Sequence, residues 1–241
     1  MTGIKLTDKV YLVGGSAYGI SAMGDCNLYL VDCGGKLALI DTGGGSGVTD
    51  ILENINGLGF KPETLEFALI THCHYDHIGG NRAIKEATGC RIAAHESEVK
   101  DIENLGELTL LEMSLDEGRS FSAEKVDLIL RGDETIEIGD VRLNVIHTPG
   151  HTPGGLCYVM EEDGKTNLFT GDTASADGRM GFINGPGYDH EAWKRSIKKL
   201  VSLQPDRIFP GHGTFRLSGG VTALQNLDRS WNVPWNVTIG R

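Results

Sequence analysis

The run His72-Cys73-His74-Tyr75-Asp76-His77 follows the apolar stretch Glu66 to Thr71 and leads into Ile78 and the pair Gly79-Gly80. In extended backbone, residues two apart share a side, so His72 and His74 can converge on one ion while a tightening turn aims Asp76 and His77 at a neighbouring one. Neutral imidazole and carboxylate suit zinc, and also iron or manganese. The run therefore reads as a metal-binding loop at the end of a strand.

Working outward, the flanks alternate strand and helix. Asn27 to Cys33 and Lys36 to Asp41 are strand-like and joined by Gly34-Gly35, a hairpin signal. Val48, Ile51, Leu52, Ile55 and Leu58 have the three-four spacing of a helix with one buried face, which Gly59 stops. Glu66 to Thr71 is the next strand, the histidine run is expected as a loop, Ile78 to Thr88 as one helix, and Arg91 to His95 as a strand. Strands recur at Val126 to Arg131, Val141 to Thr148, Leu156 to Met160 and Asn167 to Gly171. They are followed by a helix, His190 to Leu203, and a last strand, Arg207 to Pro210. No linker or low-complexity segment separates the halves. The expectation is one α/β domain over residues 1–241, with two similar halves of about 1–125 and 126–241 forming a four-layer αββα sandwich.

The irregular stretch Asp101 to Lys125 carries Leu108, Leu110, Leu111, Met113, Leu115 and Phe121, expected to pack against the sandwich, with a wall or lid over the site as the alternative. For the tail Trp231-Asn232-Val233-Pro234-Trp235 the choices are core docking, substrate contact or a subunit interface, and docking is favoured.

The 241 residues, 39% of them hydrophobic, suffice for a substantial core. Five cysteines, an odd number without a CxxC pair, fit buried thiols in a reducing compartment better than a disulfide framework. A net charge of −11 with no basic stripe argues against nucleic acid as a partner. Met1 to Lys9 lacks the basic start and apolar run of a secretory signal, and no stretch approaches the roughly 18 apolar residues of a membrane span. A soluble, cytoplasmic protein acting on a small molecule is expected, with oligomeric state left open between monomer and homodimer.

His151, Asp172 and His212 also stand at strand mouths, among Pro149-Gly150, Pro153-Gly154-Gly155 and the glycines on either side of His212, residues that let backbone crowd a compact centre. With these the chain resembles the metallo-β-lactamase-fold superfamily. His72 to His77 is similar to its HxHxDH signature, and His147-Thr148-Pro149-Gly150-His151-Thr152 to the HTPGHT segment of the glyoxalase II-like branch. Phe169-Thr170-Gly171-Asp172-Thr173 resembles the bridging-aspartate strand, and Pro210-Gly211-His212-Gly213 the last histidine loop. The resemblance implies that His72, His74 and His151 hold one metal, that Asp76, His77 and His212 hold the other, and that Asp172 bridges them. Two zinc ions are then the expected cofactor, iron or manganese being the alternatives, with a bridging hydroxide as nucleophile. Asp76 is also a candidate catalytic proton carrier to the leaving group. Asp41 resembles the aspartate that braces the histidine loop. His147 is expected off the metals, and His95 and His190 are read as ordinary polar residues.

The resemblance also narrows the reaction. Asp172 stands where the commonest zinc β-lactamases have cysteine. Thr173-Ala174-Ser175-Ala176 lacks the tyrosine of acyl-homoserine lactonases, and little chain follows His212 for the helical domain of glyoxalase II proper. A dinuclear zinc hydrolase of a small ester, thioester or lactone is expected. The alternative is an oxidoreductase similar to the mononuclear iron persulfide dioxygenases, and a silent binding module is disfavoured because no ligand position is missing.

Overall fold

A computed structural model describes residues 3–116, 118–178 and 185–230. The Trp231 to Trp235 tail lies outside the described residues.

The larger sheet holds, in spatial order, β1 (Ile4–Lys5), β2 (Val10–Gly14), β3 (Leu28–Asp32), β4 (Leu37–Ile40), β5 (Leu65–Leu69), β6 (Arg91–His95) and β7 (Leu128–Leu130). Strands β1 to β4 pair antiparallel and β4 to β7 parallel. The parallel pairing requires crossovers, supplied by α1 (Val48–Gly57) and by α2 (Tyr75–Ile78) with α3 (Asn81–Thr88). The smaller sheet runs β12 (Arg207–Pro210), β11 (Lys165–Gly171), β10 (Leu156–Glu162), β9 (Val141–His147) and β8 (Thr135–Ile138). It is antiparallel except for β11 with β12, which are joined through α6 (His190–Ser202). The chain leaves the larger sheet after Leu130 and enters the smaller one at Thr135.

Strand alternation sorts the apolar residues into three layers. Tyr29 and Val31 of β3 point at the second sheet and meet Tyr158, Phe169 and Phe209, whereas Leu28 and Leu30 point outward to Ile51 and Ile55 of α1. On the far side Cys157, Val159 and Leu168 meet Trp193, Ile197 and Leu200 of α6 and Leu224 and Leu227 of α7 (Gly220–Ser230). Three apolar layers between four structural ones make an αββα sandwich. Burying each large side chain of α6 contributes about 1.5–3 kcal/mol, and Asp189 caps the helix by accepting Ala192 N–H at 2.9 Å.

Several elements differ from the sequence reading. The histidine run is a loop only to His74, because Tyr75 opens the short α2. The single helix expected from Ile78 is broken at Gly79-Gly80, where side chains would collide with the backbone of Gly44 and Thr42. Strands β1, β2 and β8 and helix α7 were not anticipated, and the irregular stretch contains α4 (Val99–Asn104) and α5 (Leu111–Asp116). Leu108 and Phe121 pack under the first sheet, but Met113 and Leu115 are exposed.

Both sheets present their loops at one seam. Leu156 N–H donates to Thr71 O at 2.7 Å and Asn27 N–H to Gly211 O at 2.7 Å. The Tyr158 hydroxyl donates to Ile70 O at 2.7 Å and the Tyr29 hydroxyl to Pro210 O at 2.9 Å.

Candidate metal centre

The seam brings together all seven residues expected as ligands. His72 and His74 extend from the carboxyl end of β5, His151 lies in the turn after β9, Asp172 follows β11, and His212 follows β12. The carboxyl ends of parallel strands gather ligand loops because the helices pull the chain away on either side.

His72, His74 and His151 form a buried cup. His74 Nδ1 lies 3.1 Å from His72 Nε2 and 3.1 Å from His151 Nε2. Burial holds all three imidazoles below the usual histidine range, and His74 falls to about 3. Neutral rings leave inward nitrogens whose lone pairs face one another. Three nitrogens at about 2.0–2.1 Å from a tetrahedral ion stand roughly 3.3–3.4 Å apart, close to the spacing seen here. The donor set therefore fits a cation.

Asp76, His77 and His212 form the second group. His212 Nε2 lies 3.0 Å from Asp76 Oδ2 and 3.3 Å from His77 Nε2. Asp172 lies between the groups, with Oδ1 3.4 Å from His77 Nε2 and Oδ2 3.6 Å from His151 and 3.5 Å from His212. Its Oδ1 is buried without a hydrogen bond, an acceptor that a cation between the groups would satisfy. Asp172 and Asp76 raise the pKa of His212 against the opposing effect of burial. His77 rises well above the usual range as Cys26, Asp76, Asp41 and Asp172 outweigh its burial. Reciprocally, His212 and His77 hold Asp172 well below the usual carboxylate range despite its burial. Protons on these histidines occupy the positive position that a divalent ion would take.

Asp41 braces this arrangement. Its Oδ1 accepts Thr71 N–H at 2.7 Å, and its Oδ2 accepts the Thr71 hydroxyl at 2.8 Å and His77 Nδ1–H at 2.8 Å. The Thr71 oxygen, its proton so committed, can accept from His72 Nδ1 at 3.1 Å. One carboxylate thus turns Nε2 of both His77 and His72 toward the centre. Asp41 adopts φ 63°, a left-handed conformation that Asp tolerates better than most residues. Gly211 is equally constrained, since a Cβ there would lie 2.5 Å from Asp172 Oδ1 and 2.7 Å from His77 Cε1.

The other histidines stand apart from the donor groups. His147 stacks on His95 with centroids 4.0 Å apart, and its Nε2–H donates to Pro153 O at 2.9 Å. His190 pairs with the Tyr188 hydroxyl at 3.0 Å. Sequence reasoning missed Thr71, which carries no spacing signature, and Trp193, which backs His151 at 5.5 Å. It also missed Glu98, a carboxyl buried beside the cup. The five cysteines are buried free thiols. Among the described residues no helix is long and apolar enough to cross a membrane.

A family model described as the metallo-beta-lactamase superfamily matches residues 22–212. A probable metallo-hydrolase of Methanocaldococcus jannaschii is 30% identical over 82% of this chain and 90% of its own length. A hydroxyacylglutathione hydrolase of Rhodospirillum rubrum is 31% identical over 80% of this chain, which spans only 64% of that relative. Among solved structures, the native FEZ-1 metallo-beta-lactamase of Legionella gormanii superposes with a TM-score of 0.77 at 23% identity, covering 96% of this chain and 94% of the other. The subclass B3 metallo-beta-lactamase of Bradyrhizobium japonicum gives a TM-score of 0.76 at 24% identity, with 96% and 92% covered.

Proposed function

The chain belongs to the metallo-beta-lactamase superfamily, and on that premise we propose that it is a dinuclear metal hydrolase, zinc being the favoured ion, that cleaves a small ester, thioester or lactone. One observation carries the reading: two donor groups, His72/His74/His151 and Asp76/His77/His212, share Asp172 between them. When bound, two divalent ions supply a water of lowered pKa and share the charge of the attacking and leaving oxygens.

This chain's own residues do the rest. His72, His74 and His151 offer neutral nitrogens without first losing a proton. Asp172 supplies a carboxylate to both groups. Asp76 is kept ionised by His77 and His212 against its burial, so it can take a proton and pass it to a leaving group. His212, its side chain 52% exposed, lies on the open side of the centre where a substrate would enter.

Metal analysis of protein expressed without added metal, followed by assay on esters, thioesters, lactones and a β-lactam, tests the proposal. Two zinc ions with turnover of one carbonyl class are expected. A single iron with oxygen uptake on a persulfide would replace it with the dioxygenase reading. Two zinc ions with no turnover across the panel would overturn the substrate class.

A further inference from the structure

Asn27 stands immediately before β3 and is 2% exposed. A buried carboxamide is unfavourable unless its polar atoms are bonded, so its partners show what it is held for. Its Nδ2 donates to Pro210 O at 3.0 Å and to Gly213 O at 3.0 Å, and its backbone N–H donates to Gly211 O at 2.7 Å. Two side-chain hydrogens meet two carbonyls, which fixes the end of the amide that faces this loop. Gly15 leaves room for the other end, because a Cβ there would lie 2.9 Å from Asn27 Oδ1.

The three acceptors surround one donor residue. Pro210 and Gly211 precede His212 and Gly213 follows it, so a residue of the first half grips this loop of the second half on both sides of the imidazole. The Tyr29 hydroxyl also donates to Pro210 O, at 2.9 Å, and the Tyr18 hydroxyl to Gly213 O, at 3.3 Å. Asn27 joins the two flanks that these hydroxyls contact singly. Its neighbour Cys26 donates its N–H to Asp76 O at 3.3 Å. Consecutive residues thus hold the backbone of Asp76 and the loop of His212, whose side chains meet at 3.0 Å.

We propose that Asn27 is a positioning residue that clamps the His212 loop and so sets the geometry of the Asp76/His77/His212 position. This rests on the metal-centre reading. With its side chain 52% exposed, His212 gains little support from packing, and its place depends on the backbone that carries it. His77 differs, because Asp41 orients its buried ring directly. The three-histidine cup is carried by the loops after β5 and β9, whereas the bonds of Asn27 run to the loop after β12. The influence of Asn27 is therefore confined to one of two adjacent ion positions.

The test compares wild-type protein with Asn27→Ala, Asn27→Asp and Asn27→Gln, and with Leu200→Ala as a control that opens a cavity in the outer core under α6. Cobalt is titrated into metal-free protein against a competing chelator to resolve the two affinities, and ring-nitrogen NMR signals of His74, His151 and His212 are recorded without metal. Ala removes both donors and Asp turns an acceptor toward the two carbonyls, so each should weaken the Asp76/His77/His212 position tenfold or more and leave the three-histidine position within threefold. Gln keeps the donors but displaces them by a methylene, so it should fall between wild type and Ala. In the Asn27 variants the His212 signals should move and those of His74 and His151 should stay. Leu200→Ala should leave the ratio of the two affinities unchanged, which separates positioning from general loss of stability. Equal weakening of both positions by the Asn27 variants, a ratio changed as much by Leu200→Ala, or Asn27 variants indistinguishable from wild type would overturn the proposal. Should Ala and Asp fail to fold, Gln decides it, and an unchanged ratio in Gln overturns it. Wild-type protein that takes up no metal would instead sink the metal-centre reading, and the NMR signals would still judge Asn27.

Discussion

Replacing Asp41 by Asn tests the brace without changing its shape. Asn is at home in the left-handed region, so φ 63° is retained and backbone strain does not enter. What changes is one oxygen. With Oδ1 still accepting Thr71 N–H, the new amino group faces the Thr71 hydroxyl and His77 Nδ1–H, both donors held at 2.8 Å in the native protein. A buried donor left unpaired costs about 1–3 kcal/mol. The Thr71 hydroxyl can rotate away, but in the metal-free protein His77, its pKa raised well above the usual range by the surrounding carboxylates, can escape only by giving up its Nδ1 proton. Two stranded donors, His77 Nδ1–H and the new amino group, bring the loss to about 2–6 kcal/mol, which for a domain of this size lowers Tm by roughly 4–24 °C. Metal affinity should fall about 10–100-fold, mostly at the Asp76/His77/His212 position. Chelator competition and thermal melts of the metal-free protein measure the two effects. Native-like affinity at both positions in Asp41→Asn would refute the account of how His77 is oriented.

Asp172→Ala should disturb both metals, because Asp172 lies within 3.6 Å of donors in each group. His212→Ala should chiefly weaken the second, and equal retention of two metals in both variants, read by metal analysis, would contradict the bridge. Metal-free protein should lose stability in acid through the cup. A histidine whose folded pKa is depressed contributes stability above its unfolded value near 6.5, lost as pH falls toward about 3 for His74. His74→Gln should therefore show a shallower loss between pH 7 and pH 4 in denaturant titrations, by on the order of 3 kcal/mol. His77 and His212, with raised values, act in the opposite sense and are unchanged in that comparison. Gly211→Ala should keep the fold by circular dichroism yet lose metal affinity tenfold or more, since its Cβ meets Asp172 and His77.

The convergence of the seven candidate residues was legible because metal-binding chemistry confines such residue types to strand mouths. Imidazoles at alternate positions after an apolar run, and a carboxylate closing another, have few alternative explanations. The sandwich was legible where polar and apolar residues alternate, as in Val141 to His147, and where paired glycines bound an apolar run, as Gly34-Gly35 do after Leu28 to Asp32. It was not at Val10 to Gly14, an apolar run without alternation that is buried on both faces. The histidine run could not be recognised as half loop and half helix, because the turn at Tyr75 answers to the glycine loop packed against Gly79 and Gly80. Thr71 and Glu98 were invisible for a related reason. Each bonds to a partner distant in sequence, Asp41 for the one and Gly154 for the other, and a single chain records no such pairing.

The hydrogen bonds that cross the seam, from Leu156 to Thr71 and from Asn27 to Gly211, lie directly beneath the loops that carry the donors. Each half contributes an incomplete set: His72, His74, Asp76 and His77 from one, His151, Asp172 and His212 from the other. Neither half can therefore serve as a fragment enzyme, and any variation that lets the two drift apart is felt first as lost chemistry and only later as unfolding. A bound ion would act as a keystone, turning the correctness of assembly into something a cell can read out as turnover.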